Sequence, residues 1–154
     1  MLTWQEFTAV RPDLAEAGHA LLHQFGIGLA FLATVRRDGG PRLHPVCPLI
    51  HEGHLFVFVV GHSPKRYDLQ RDGRYALHTF PPADNDDEFY CTGSAIPVSE
   101  PALRQAIAEQ AKHHVEDHEI LFELYLDRAL HTTWENLRQP NTRPVYTKWW
   151  KGDG

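Results

Sequence analysis

The chain has 154 residues, of which 42% are hydrophobic and 11% aromatic, and it carries a formal charge of −5. That length fits one domain, residues 1–154, with a core that needs no staples, and the composition excludes a disordered chain. The negative balance argues against nucleic acid as a partner, because nonspecific binding needs a broad basic face, so any anion site has to be local.

The opening MLTWQEFTAVRPD lacks the basic-then-apolar order of a signal peptide. Residues 3–8 read as a helical turn. A longer helix is predicted over 13–24, with Asp13 and Glu16 in capping-box spacing, Leu14, Ala17, Leu21 and Leu22 on one face, and Gly26 as its stop. His19 and His23 stand four apart on this helix, but no third ligand accompanies them, and they read as structural histidines.

Three β-type runs follow, over 28–36, 42–50 and 55–60, joined by Asp38-Gly39-Gly40 and Glu52-Gly53, which reads as an antiparallel meander. The first run, GLAFLATV, is apolar on both faces, so its second side must be covered by a helix or a second subunit. In the next run Arg42, His44, Val46 and Pro48 point one way, and Leu43, Pro45, Cys47 and Leu49 the other. Pro45 and Pro48 cannot donate to a ladder, which implies an edge, a bulge or an opening in this strand.

Ser63-Pro64-Lys65-Arg66 comes directly after the third run and opens a short helix, with Ser63 at the N-cap and Pro64 at the first helical position. A helix N-terminus already has positive character, and Lys65 and Arg66 add two charges to it, so a phosphate is a natural partner. The other reading is a capped surface helix whose cations face water, and spacing alone does not separate the two. From residue 61 to 75 four cations (Lys65, Arg66, Arg71, Arg74) stand against two anions (Asp68, Asp72), a basic segment in an acidic chain.

A strand is predicted over 75–80, then a polar loop over 81–87 whose Asp84, Asp86 and Asp87 lack an EF-hand pattern and read as solvated. A long strand over 88–98 bends at Gly93, and Ser99 caps a helix reaching about residue 115 with Leu103, Ala106, Ile107 and Ala111 inside. His113, His114 and His118 near its end diverge around a helix, and no metal site is predicted. Residues 119–134 alternate as a strand, and a last strand over 145–150 ends in Trp149-Trp150, which either stack on a planar ligand or anchor the tail in an apolar groove. Cys47 and Cys91 are far apart without CxxC partners, which fits reduced thiols. The sequence therefore predicts a soluble cytoplasmic protein with no membrane span.

The succession LATVRRDGGPRLHPV, LFVFVVGHSPKRYDLQRDGRYAL and FYCTGSAIPV resembles the pyridoxamine 5′-phosphate oxidase-like family of flavin-binding split β-barrels. The resemblance implies an α+β fold, a six- to seven-stranded antiparallel split β-barrel, acting as a homodimer with FMN in the groove between barrels. It maps cofactor contacts onto Arg42, Leu43, His44, Pro45, Val46 and Cys47, onto Phe58 and Val59, and onto Ser63, Pro64, Lys65 and Arg66. Lys65 is the foremost phosphate ligand, and Glu88 and Trp149 are further positions. Pro64 stands where the family often has Arg, with Arg66 as the replacement. The C-terminal RPVYTKWWKGDG lacks the Arg and His pattern that holds a pyridoxal phosphate substrate. The activity implied is that of a flavin-dependent oxidoreductase on a small organic substrate, with a nicotinamide nucleotide as possible electron donor and His44 as the one candidate proton donor. Related branches bind a deazaflavin or haem, and a non-catalytic flavin or haem carrier is the alternative function.

Overall fold

The computed structural model describes residues 1–152. Four helices and eight strands occur in the order α1 (Trp4–Val10), α2 (Pro12–Leu22), β1 (Ala30–Val35), β2 (Pro41–Val46), β3 (Leu49–His51), β4 (His54–Val59), α3 (Pro64–Arg71), β5 (Arg74–Thr79), β6 (Glu88–Pro97), α4 (Pro101–Gln110), β7 (Ile120–Glu135) and β8 (Arg143–Trp150). No described helix is long and apolar enough to cross a membrane.

Helix starts follow proline more closely than side-chain caps. Pro12, Pro64 and Pro101 each open a helix, because a first-turn N–H is unpaired anyway and the ring presets φ. The capping box belongs to α1, where Thr3 and Glu6 satisfy each other's backbone N–H. Asp13 and Glu16 do not form the expected box: α2 begins one residue earlier, and Asp13 pairs with Arg11 at 2.6 Å. Ser99 likewise gives way to Glu100 as the residue before α4, and that helix stops at Gln110 rather than near 115.

The sheet is antiparallel throughout, in the order β2-β1-β5-β6-β7-β4-β3, with β8 added on β7. One predicted strand, 42–50, proves to be two, which is why the count reaches eight. Its first half pairs with β1 (Ala30↔Val46) and its second half with β4 (Leu49↔Phe56), so the chain changes partners across Cys47-Pro48. Since β2 and β3 are the two ends of the sheet order, this short link closes the sheet into a split barrel. The break falls at Pro48, which cannot donate, while Pro45 stays within β2 opposite Phe31. Close packing holds it there: a Cβ on Gly28 would sit 1.7 Å from the Pro48 carbonyl oxygen.

Ala30, Leu32, Leu55, Val57, Leu77, Phe89, Cys91 and Leu124 belong to the main core, which Trp4, Phe7, Leu14 and Leu22 extend into α1 and α2. A second cluster of Leu49, Phe56, Phe58, Leu121 and Ile107 lies under α4 and covers the other side of β4. That explains why β4 is apolar on both faces. The expected bend in β6 is a register shift between Thr92 and Gly93. Glycine is required there, since a Cβ would fall 1.7 Å from the Tyr125 carbonyl oxygen.

Candidate functional site

The split leaves backbone edges without a ladder partner. The register Leu49↔Phe56 would, if continued, set Phe58 against Cys47, yet the ladder ends at Leu49, and β4 runs on toward the Gly61 turn paired with β7 on one edge and open on the other. Facing that turn across the opening is the inner face of β2, where Arg42 and His44 project on the same side as their partners Thr34 and Leu32.

Helix α3 begins at this opening as expected, with Ser63 extended (φ −78, ψ 146), but the Ser63 side chain makes no capping bond. Its hydroxyl is instead one of four buried side-chain polar atoms with no partner among the described residues, the others being His44 Nε2, Arg66 Nε and Thr132 Oγ1. Two of the four come from the turn predicted to hold a phosphate, and a third, His44, from the strand predicted to contact the cofactor. Buried polar groups are nearly always paired, so a cluster of orphans marks a place built for something else to pair with them.

Charge pairing sharpens the point. Arg71 and Arg74 are answered by Asp68 and Asp72, at 3.2 and 2.6 Å. Lys65 and Arg66 have no ion pair among the described residues. Burial pulls the Lys65 ammonium below its ordinary pKa, while the Arg66 guanidinium lies 4.5 Å above the Tyr67 ring. Burial, and then the charges of Lys65 and Arg42, lower the His44 pKa from its ordinary value, which favours the neutral ring. Two cations without an ion pair and an unpartnered hydroxyl thus lie in the opening of one helix, with the His44 imidazole of β2 near enough to feel the Lys65 charge, and this donor set suits a phosphate.

Other predicted residues take different places. Arg42 gives its Nε to the buried Asp68 at 2.7 Å, so it enters the site already paired, as a support rather than a free anion ligand. Phe58 packs beneath α4 with Arg104 5.5 Å over its ring, and Val59 is wholly buried, which leaves only their backbone for a ligand. Leu43 points outward and is 64% exposed, and Pro45 follows it on the same face. Burial pushes the Cys47 thiol pKa up, so it is no ready nucleophile. Two positions do not join the site within one chain. Trp149 is only 8% exposed and packs on Phe7 at 5.1 Å, anchoring the C-terminal strand under α1. Glu88 lies on β6, three strands from β2, with His78 at 4.0 Å.

Sequence reasoning missed the strap over the turn. Arg104 of α4 donates to the Glu116 and Glu119 carbonyls, each at 3.0 Å, holding the segment 111–119 in place. From this segment His118 accepts a hydrogen bond at Nδ1 from the Gly61 N–H at 3.3 Å, and its ring centroid lies 5.5 Å from that of His62. No local pattern signals such a contact, because it joins residues 57 apart.

An eight-stranded antiparallel sheet closed through a partner switch, with a helix N-terminus at the split, defines a split-barrel protein. Comparison with solved structures agrees. A Clostridium acetobutylicum protein related to general stress protein 26, of the pyridoxinephosphate oxidase family, superposes with a TM-score of 0.64 at 12% identity, over 90% of this chain and 95% of its own. The haem storage protein of Vibrio cholerae gives 0.59 at 14% identity, over 74% and 90%. An F420 reductase gives 0.53 at 15%, over 66% and 87%. The chain thus has the fold of the pyridoxamine 5′-phosphate oxidase-like split-barrel proteins. No protein-family model matches its sequence, and no curated protein does either.

Proposed function

We propose that this protein binds FMN by its phosphate at the Ser63 to Arg66 turn and acts as a flavin-dependent oxidoreductase on a small organic substrate. The observation that carries the reading is the convergence of orphaned buried polar atoms and unpaired cations on that turn. Solved relatives in fold, among them an F420 reductase and a haem storage protein, support a redox cofactor in such a barrel. When bound, FMN would supply two-electron redox chemistry at its ring. The chain's own part is binding and placement. Ser63 and Lys65 hold the phosphate, Arg66 adds a fork of N–H donors, and the His44 imidazole can donate a ring N–H toward the groove.

The same reading calls for a second copy of the chain. Directly opposed ladder residues share a face, and one outer row runs Leu43, Ala33, Ala76, Thr92, Arg128, Trp150 across six strands. No helix covers Leu43 or Trp150, and Phe31, in the next row, stacks on Phe80 at 4.3 Å in a half-buried state. A homodimer through this face would cover the second side of β1 and wall the groove.

Absorption of the purified protein, followed by addition of NADPH or NADH, tests the activity. A flavin spectrum bleached by either nucleotide is the expected result. A flavin spectrum that neither donor bleaches would make the protein a carrier. The exposed imidazoles of His62 and His118 at the mouth of the groove favour haem as the second reading, and a Soret band would select it.

A further inference from the structure

A cavity of about 250 Å³ opens where α2 and α4 end, beside the strand break at Cys47-Pro48. Its wall has two parts. Ile27, Leu49 and Ile50 give it an apolar side, while His19, His23, Lys112 and His113 give it a polar side whose groups are neutral or positive, and no described Asp or Glu lines it. Lys112, two residues beyond the end of α4, donates one N–H to the Gly26 carbonyl at 2.7 Å. Gly26 lines the cavity too, so this bond sets the ammonium on the wall. An ammonium has three N–H donors, and the other two have no partner among the described residues. Acceptors that could take them up are already engaged. The Leu22 carbonyl accepts from the Leu29 N–H at 3.0 Å, that of His23 from the Gly26 N–H at 2.9 Å, and that of Ile107 from the Ala111 N–H at 3.0 Å. The His23 Nδ1 lies 2.9 Å from the His19 carbonyl oxygen and the His113 Nδ1 3.1 Å from that of His114, so both rings, whichever their charge, keep a proton on Nδ1.

A cation would meet an ammonium there and no counter-charge. A carboxylate would meet two free N–H donors on a fixed positive charge, next to an apolar wall that suits a hydrocarbon stem. The volume is below that of most ligand pockets, so the occupant is small. We infer that this cavity is a second ligand site, one that takes a short-chain organic carboxylate, its oxygens on the Lys112 ammonium and its stem against Leu49 and Ile50. Cys47 is common to the cavity and the strand break, so the site abuts the groove, but its recognition of a carboxylate does not depend on which cofactor the groove holds.

Histidine ring resonances of the full chain, recorded by NMR at constant ionic strength without added cofactor, test this with n-butyrate as the probe and n-butanol and n-butylammonium as controls of equal length. Saturable shifts of the His19, His23 and His113 rings with n-butyrate, at least about tenfold tighter than with either control, are expected. Lys112→Gln, whose amide can still donate to the Gly26 carbonyl but carries no charge, is expected to lose the preference for the carboxylate. Lys112→Arg is expected to keep it. Shifts that never saturate, an equal response to all three probes, a preference that survives in Lys112→Gln or is lost in Lys112→Arg, or shifts confined to the His44 ring would each overturn the inference. Because no flavin is present and the rings observed belong to this cavity, such a failure would leave the reading of the Lys65 turn standing.

Discussion

Asp68→Ala is expected to destabilise the fold by about 3 kcal/mol, at the lower end of what removing one partner of a buried ion pair costs. Asp68 is 3% exposed and joins three elements. It accepts from Thr34 Oγ1 of β1 at 2.8 Å, from Arg42 Nε of β2 at 2.7 Å and from Arg71 of its own helix at 3.2 Å. The lower end applies because both arginines keep partial access to water, with side chains 28% and 34% exposed. Burial by itself would raise the Asp68 pKa, but the hydrogen bonds from Arg42, Thr34 and Arg71 together outweigh it and hold the carboxyl below its ordinary value. A depressed carboxyl stabilises the fold above its unfolded pKa, about 3.9, and that contribution fades as pH falls through the native value. Chemical denaturation of parent and variant should show the full gap at pH 5 to 7 and a shrinking gap below about pH 4. A gap that does not change with pH would mean that Asp68 acts through packing alone.

Lys65→Ala is expected to weaken cofactor retention by about 1.5 to 3 kcal/mol, the scale for hydrogen bonds to charged groups, which is about a ten- to hundred-fold rise in Kd. The same variant should leave the cofactor-free fold as stable as the parent or slightly more so, because it removes a partly buried ammonium that no carboxylate answers. That pairing of effects separates a ligand-binding lysine from a structural one. Equilibrium dialysis against FMN together with thermal unfolding of the cofactor-free protein reads both. Unchanged retention would show that the phosphate is not held by Lys65.

Features encoded over a few residues were legible in the sequence. The Asp38-Gly39-Gly40 and Glu52-Gly53 turns, the interruption at Pro48 and the helix start at Ser63-Pro64 all lie where local backbone chemistry places them. Proline at the first helical position proved a firmer guide than capping-box spacing, as Pro12 and Pro101 show. What stayed hidden depends on partners far apart in the chain. Nothing local says that Asp68 will neutralise Arg42, 26 residues away, and leave Lys65 and Arg66 unanswered. The early end of α4 has no Gly or Pro to announce it, and beyond it Arg104 gathers the carbonyls of Glu116 and Glu119. Trp149 and Trp150 looked alike as a pair, but strand alternation sends one indole into the core against Phe7 and the other to the outer face.

The measurement that bears most directly on the phosphate turn compares FMN with riboflavin, which has the same ring and no phosphate, by quenching of flavin fluorescence on titration with the protein. If Ser63, Lys65 and Arg66 hold the phosphate, FMN binds at least about tenfold tighter than riboflavin. Inorganic phosphate then competes with FMN but leaves riboflavin binding untouched. Equal affinity for the two flavins, with no effect of phosphate on either, would contradict the account.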